Sequence, residues 1–183
     1  MEREFNYDIM QEIKERWSPR AFDEQNIDSD DIMTILEAAR YAPSCFNEQP
    51  WRFLVGDNEE KLNKLRNILT LSNQEWANHA PVLILIASKK TFERNDKNNR
   101  WNQFDAGTAW GFMSLEAQKR GLITHAMGGF NREKAYQELN ISDEYDLIAV
   151  VAVGKYGDKN ILSKELQERE HPDIRKSIEE LLL

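Results

Sequence analysis

The sequence predicts a single domain of interleaved helices and strands, and three observations lead there. A length of 183 residues with 40% hydrophobic content suffices for one ordinary core. Apolar spacing switches repeatedly between a helical three-to-four-residue period and short continuous or alternating runs. No interior linker, internal repeat or low-complexity tract marks a second domain.

In chain order, Phe5, Ile9 and Ile13 fall at helical spacing among charged residues, predicting an amphipathic helix that stops before Pro19. Asp28 caps a second helix, with Ile32, Ile35, Leu36 and Ala39 on one face and Pro43 beyond its end. Trp51 to Val55 reads as a strand, Glu59 to about Leu69 as a helix with Leu62, Leu65 and Leu69 inward, and Val82 to Ala87 as a fully apolar strand. Lys89 to Arg100 has no apolar period and reads as a surface excursion able to cover a site. The small residues Ala106, Gly107, Ala109, Gly111 and Ala117, among Phe104, Trp110, Met113 and Leu115, predict a closely packed central helix that Gly121 ends. A short strand near Ile123 leads to Gly128-Gly129-Phe130. Asn131 caps a short helix, and Leu147 to Val153 makes a buried strand.

The charge balance, 24 basic against 32 acidic side chains for a net −8, argues against a general nucleic-acid-coating surface. Cys45 is the single cysteine, which excludes an intrachain disulfide and favours a reducing, cytoplasmic setting. The N-terminus lacks a signal-peptide pattern and no apolar run nears the ~20 residues of a membrane helix, so no membrane partner is expected. His79, His125 and His171 share no metal-ligand spacing. No strand-like run precedes GxGxxG or GxxxxGK[ST], which disfavours a Rossmann or P-loop nucleotide site.

Three loops carry candidate chemistry. Arg16, Ser18 and Arg20 place two guanidinium groups and a hydroxyl at a helix end, a set that suits phosphate oxygens and equally suits a solvated basic helix terminus. In Pro43-Ser44-Cys45-Phe46-Asn47-Glu48-Gln49-Pro50, two prolines fix a loop bearing the amides of Asn47 and Gln49. These can read the heteroatom edge of a planar ring, or satisfy one another in a tight turn. Gly128 and Gly129 let a ligand approach the backbone N–H groups, or are plain turn residues.

Taken together, RWSPRAF at 16–22, APSCFNEQPWRF at 42–53, DAG at 105–107, GL at 121–122 and GGF at 128–130 resemble the FMN-dependent nitroreductase family. Its usual pattern begins R-[R/H]-S-x-[R/K]-x-F and continues A-P-S-x-x-N-x-Q-P-W. The resemblance implies an α+β fold with a mostly antiparallel sheet between helices, in an intertwined homodimer. A C-terminal segment of about 160–183 would cross to the partner, with Leu181 to Leu183 adding an edge there. A frayed tail is the alternative.

It further implies that Arg16 and Ser18 hold the FMN phosphate with Arg175 and Lys176, and that Arg20 lies near the ribityl chain or the N1–O2 edge. Pro43, Ser44 and Asn47 would serve the neighbour's flavin ring. The Gly128 and Gly129 backbone would face N5, and Asn73 the pyrimidine side. Trp17, Cys45, Gln49 and Met127 complete the cofactor-contacting set. The family pattern is not met everywhere: Trp17 replaces the second Arg or His of the opening motif, and Trp76 stands where some members carry a lysine, leaving Arg20 as the cation beside N1. Cys45 reads as a packing or ligand-contact residue rather than a redox thiol, and Asp105 as a helix-start or packing residue. The activity implied is ping-pong transfer from NADH or NADPH, through flavin, to a nitroaromatic, quinone or similar small acceptor, with the flavin rather than a side chain carrying the chemistry. Sibling chemistries of the family, reductive dehalogenation or flavin breakdown, are one alternative, and a non-catalytic FMN-binding or storage protein is the other.

Overall fold

Two aliphatic strands organise the computed structural model, which describes residues 3–183. Strand β5 (Tyr145–Tyr156) is flanked by β3 (Val82–Lys89) on one edge and β4 (Ile123–Met127) on the other, and β2 (Trp51–Gly56) lies outside β3. The two-residue β1 (Phe22–Asp23) joins the end of β5, with Phe22 opposite Tyr156. Every pairing is antiparallel, as the resemblance implies.

The side-chain alternation of β3 divides the interior into two cores. Leu83, Leu85 and Ala87, with Val150 and Ala152 of β5, pack against Leu62, Leu65 and Ile68 of α3 (Glu59–Ile68) and Trp76 of α4 (Leu71–Ala77). Ala135 of α6 (Arg132–Glu138) and Leu166 of α7 (Lys164–Glu168) close that layer. Val82, Ile84 and Ile86, with Val151 and Val153, face Ile32, Ile35 and Ala39 of α2 (Ser29–Arg40) and Ala106, Ala109, Met113 and Ala117 of α5 (Asn102–Lys119). A bulge opposite Ile86 and Ala87 leaves Ile148 as the extra residue. Leu147 and Val150, three apart, therefore share one face. A sheet covered on both faces explains why β3 is apolar at successive positions rather than alternately.

The helix ends follow the expected chemistry. The Asp28 side chain accepts from Asp30 N, that of Asn131 accepts from Lys134 N, and Gly121 ends α5 at φ +70°. The N-terminal reading needs correction: only Gln11–Glu15 (α1) is helical, and Phe5, Ile9 and Ile13 stay 43%, 40% and 42% exposed. Their apolar stripe finds no surface to bury against within one chain. The packed central helix holds for only one side of α5. On the other, Gly107 and Gly111 face open space and Phe104 is 70% exposed. Residues Leu181 to Leu183 are exposed and form no strand. Among the described residues no helix is long and apolar enough to cross a membrane.

Candidate functional site

The turn after α1 crosses the sheet end beside β4 and the chain's last segment, and there a cavity of about 300 Å³ opens. Arg16, Trp17, Ser18 and Arg20 line it together with Arg169 and Arg175, and His125 of β4 joins them. Four guanidinium groups against one carboxylate, that of Asp173, make this a locally positive site on a chain of net charge −8. Arg16 donates from Nη1 to the Trp17 carbonyl at 2.9 Å and reaches Ser18 Oγ at 3.5 Å. Arg3 holds that turn from behind, donating to the carbonyls of Arg16 at 3.0 Å and Glu15 at 3.1 Å. Burial, and after it the charges of Arg175 and Arg3, pull the Arg16 guanidinium pKa below its ordinary value. Arg20 is lowered by burial and then by Arg169, against the opposing pull of Glu170. An arginine stays charged at neutral pH regardless; burial is the main cause of both falls, and the smaller part from neighbouring guanidinium groups is positive potential that a bound anion would relieve.

The cavity is held by groups the sequence did not single out. Glu170 is buried and its Oε1 accepts from the backbone N–H groups of Arg20 at 2.8 Å and Ala21 at 2.9 Å, tying the chain's end to the Arg16–Arg20 turn across 150 positions. Its Oε2 is buried without a partner among the described residues. His125 sits 4.4 Å from Trp76 between ring centroids, with Nδ1 2.9 Å from the Pro19 carbonyl. Burial lowers its pKa to about 4, outweighing the Pro19 contact, with Arg20 and Arg16 adding to the fall. The imidazole is therefore neutral at pH 7, donates from Nδ1 to Pro19 and leaves Nε2 as an acceptor. Neither residue lies in a sequence motif. Only the fold brings them to the arginines.

From His125 the strand continues through buried Met127 to Gly128 and Gly129. The Gly129 carbonyl accepts from Thr70 N at 3.1 Å and from Asn73 Nδ2 at 2.9 Å. A Cβ on Gly129 would stand 2.7 Å from that Asn73 nitrogen, so any larger residue would push the Asn73 amide off the Gly129 carbonyl. Nothing lies within 4 Å of where a Gly128 Cβ would be, and among the described residues neither glycine's N–H is used in a hydrogen bond. Asn73 thus braces the glycine turn, its amide nitrogen engaged there. Trp76, one helical turn on, is overlain by the Arg20 guanidinium 6.0 Å from its centroid, which links the two parts of the site.

Pro43, Ser44, Cys45, Asn47 and Gln49 are not brought to the cavity of their own chain, none of them lining it. Their loop is fastened elsewhere. Cys45 N donates to Asp105 on the first turn of α5 at 3.1 Å, Gln49 N to Ser44 Oγ at 3.0 Å, and Gln49 Nε2 to the Asn47 carbonyl at 2.9 Å. Phe46, Asn47 and Gln49 have φ of 55°, 57° and 50°. Three non-glycine residues in the left-handed region within four positions mark a loop that its surroundings hold against strain. Burial raises the pKa of Asp105, against the Cys45 hydrogen bond. Lys176 lies outside the cavity, in an adjoining groove of about 810 Å³ between the two ends of the chain that Arg16 and Arg175 also border.

Residues 13–73 and 67–155 match the Nitroreductase family. A relative from Archaeoglobus fulgidus, provisionally named NADH dehydrogenase/NAD(P)H nitroreductase, is 32% identical over 165 residues, covering 88% of this chain and 92% of its own. The iodotyrosine deiodinase of Thermotoga neapolitana is 26% identical over 171 residues, covering 81% of this chain and 87% of its own. A crystal structure described as an oxidoreductase containing FMN superposes with a TM-score of 0.94 at 34% identity, over 99% of this chain and 93% of that one. The chain belongs to the nitroreductase family, a family of oxidoreductases.

Proposed function

We propose that this protein is an FMN-dependent reductase working as a homodimer, in which each flavin is held by the cationic cavity of one protomer and faced by the Pro43–Gln49 loop of the other. The observation that carries the reading is the convergence of Arg16, Ser18, Arg20 and Arg175 on one cavity from opposite ends of the chain. The donor set fits the cofactor: guanidinium forks for a phosphate, a neutral His125 able to accept from a hydroxyl, and two free glycine N–H groups beyond. Bound there, FMN would supply the electron-carrying chemistry, taking reducing equivalents from NADH or NADPH and delivering them to a quinone, a nitroaromatic or a similar acceptor.

The chain's residues then have separable tasks. Arg16, Ser18 and Arg175 anchor the phosphate. Arg20, its backbone clamped by Glu170 and its side chain resting on Trp76, presents a fixed cation where negative charge develops on reduction. Gly128 and Gly129 offer unengaged N–H donors, and at Gly128 open space lies where a Cβ would stand. The dimer is supported by the apolar side chains left uncovered on and beside α5, Trp101, Phe104 and Phe112, which flank the small residues Gly107 and Gly111. With the C-terminal segment crossing, Leu181 to Leu183 would gain a partner surface.

The test is whether the purified protein is yellow, releases FMN on denaturation, and oxidises NADH or NADPH faster when a quinone or nitroaromatic is added. A colourless protein that takes up no FMN would overturn the reading. Reductive dehalogenation is the second reading, supported by the likeness to the Thermotoga deiodinase. It predicts halide release from halogenated phenols in place of quinone-stimulated turnover.

A further inference from the structure

The excursion between β3 and α5 closes on itself, with a bridge between Thr91 and Asn98 and a bond from Phe92 N to the Lys97 carbonyl at 2.9 Å. It is also fastened to the strained 43–49 loop. Glu93 N donates to Glu48 Oε1 at 2.6 Å, and Arg52 beside that loop pairs with Glu93 at 3.2 Å. At the junction the Arg94 guanidinium lies 4.0 Å from the Phe46 ring centroid and 5.3 Å from that of Phe92, and the two rings meet edge to face at 6.1 Å. Phe46 is 72% exposed, an aromatic side chain displayed to solvent from a backbone at φ 55°.

Two of the neighbouring acids are engaged elsewhere. Glu93 pairs with Arg52 and Lys89, and Glu48 accepts from the Glu93 backbone. Among the described residues Arg94 forms no hydrogen bond or ion pair, so its N–H fork is free while its face is held by the rings. A guanidinium oriented by stacking, with unused donors beside an exposed ring, fits a planar ligand bearing a carboxylate. The ring of such a ligand would lie against Phe46 and its carboxylate would take two N–H bonds.

We propose that Arg94, seated on Phe46, selects the electron acceptor, favouring aromatic acceptors that carry a carboxylate over neutral ones of the same shape. The proposal rests on the flavin-reductase reading, in which the 43–49 loop faces the partner's flavin and Arg94 borders the place where the acceptor docks. Neither Arg94 nor Phe46 belongs to the cofactor cavity.

The test uses the FMN-loaded protein with 4-nitrobenzoate and 4-nitrobenzyl alcohol. Binding is read first without NADH or NADPH, from the perturbation of the flavin absorbance, and then as kcat/KM. Wild type is expected to bind the carboxylate roughly five- to ten-fold more tightly, as a charge-assisted bidentate contact at an exposed site permits. Arg94→Met, which keeps the aliphatic stem on Phe46, is expected to abolish that preference while leaving the affinity for the alcohol unchanged, and Arg94→Glu to reverse it. Equal binding of the two ligands by wild type, or an undiminished preference in Arg94→Met, would overturn the assignment. So would a loaded, NAD(P)H-reducible protein that binds neither ligand, and in that case the reductase reading survives. Failure to hold FMN at all would remove both.

Discussion

Lowering the pH should weaken the fold through His125, by an amount that follows from its surroundings. Its pKa falls from 6.5 to about 4 because burial against Trp76, with Arg20 and Arg16 close by, disfavours the imidazolium more than the Pro19 carbonyl favours it. The folded pKa lies below the unfolded one, so the contribution of the neutral ring is present above pH 6.5 and is lost as pH falls towards 4. The whole shift corresponds to about 3 kcal/mol, of which about 2 kcal/mol would be lost between pH 7 and pH 5. For a domain of this size that is roughly 4–8 °C in Tm. His125→Asn is the informative variant, because its amide nitrogen can replace Nδ1 in donating to Pro19 while the titration is removed. Urea unfolding of cofactor-free wild type and variant at pH 7 and pH 5 isolates the term, other titrating groups being common to both. The variant should lose about 2 kcal/mol less than wild type over that interval. Parallel losses in the two proteins would refute the reasoning.

Arg16→Ala should remove the proposed charge-assisted phosphate contact, worth about 1.5–3 kcal/mol. FMN binding should therefore weaken roughly ten- to a hundred-fold while riboflavin binding changes much less, and equal losses by fluorescence titration would remove Arg16 from the phosphate. Cys45→Ser should keep NAD(P)H turnover, since this residue's observed contact is a backbone one from its N–H to Asp105; loss of turnover with FMN still bound would make the thiol a redox group. Asp105→Asn keeps an acceptor for that N–H without a buried charge. Because the folded pKa of Asp105 is raised, wild type loses the benefit of the protonated acid as pH rises through it. The variant should then be at least as stable as wild type at pH 7 in thermal melts, and a clear loss would show the carboxylate itself to be needed.

Much of this architecture was legible because it rests on local chemistry. Asp28, Asn131 and Gly121 mark helix ends through caps and a left-handed turn, and the aliphatic run at Val82–Ala87 reads as a fully apolar strand, which the structure covers on both faces. The short, polar α4, LSNQEWA, escaped because seven residues with one large apolar anchor, Trp76, present no helical period. The stripe Phe5, Ile9, Ile13 misled in the opposite sense, since periodicity states that a face is apolar but not that the same chain covers it. At the site, the RWSPRAF segment places Arg16, Ser18 and Arg20 together by spacing alone. Arg169, Glu170 and His125 enter by long-range folding, and Glu170 in particular acts on backbone N–H groups that carry no sequence signature. The two amides of the 43–49 loop left a ring-reading and a turn-forming role open, and within the chain Gln49 Nε2 donates to the Asn47 backbone carbonyl. The Arg94 stack on Phe46 was not legible, because it joins segments 48 residues apart.

The central claim is that one bound flavin carries electrons between a donor and an acceptor that take turns at a shared opening. The direct measurement is to follow the two halves separately in an anaerobic stopped-flow instrument. NADH or NADPH alone should bleach the flavin absorbance of the purified protein, and a quinone or nitroaromatic added afterwards, with the oxidised nucleotide removed, should restore it at a rate sufficient for turnover. A flavin that bleaches only when the acceptor is already present, or that stays oxidised with both nucleotides, would contradict the account.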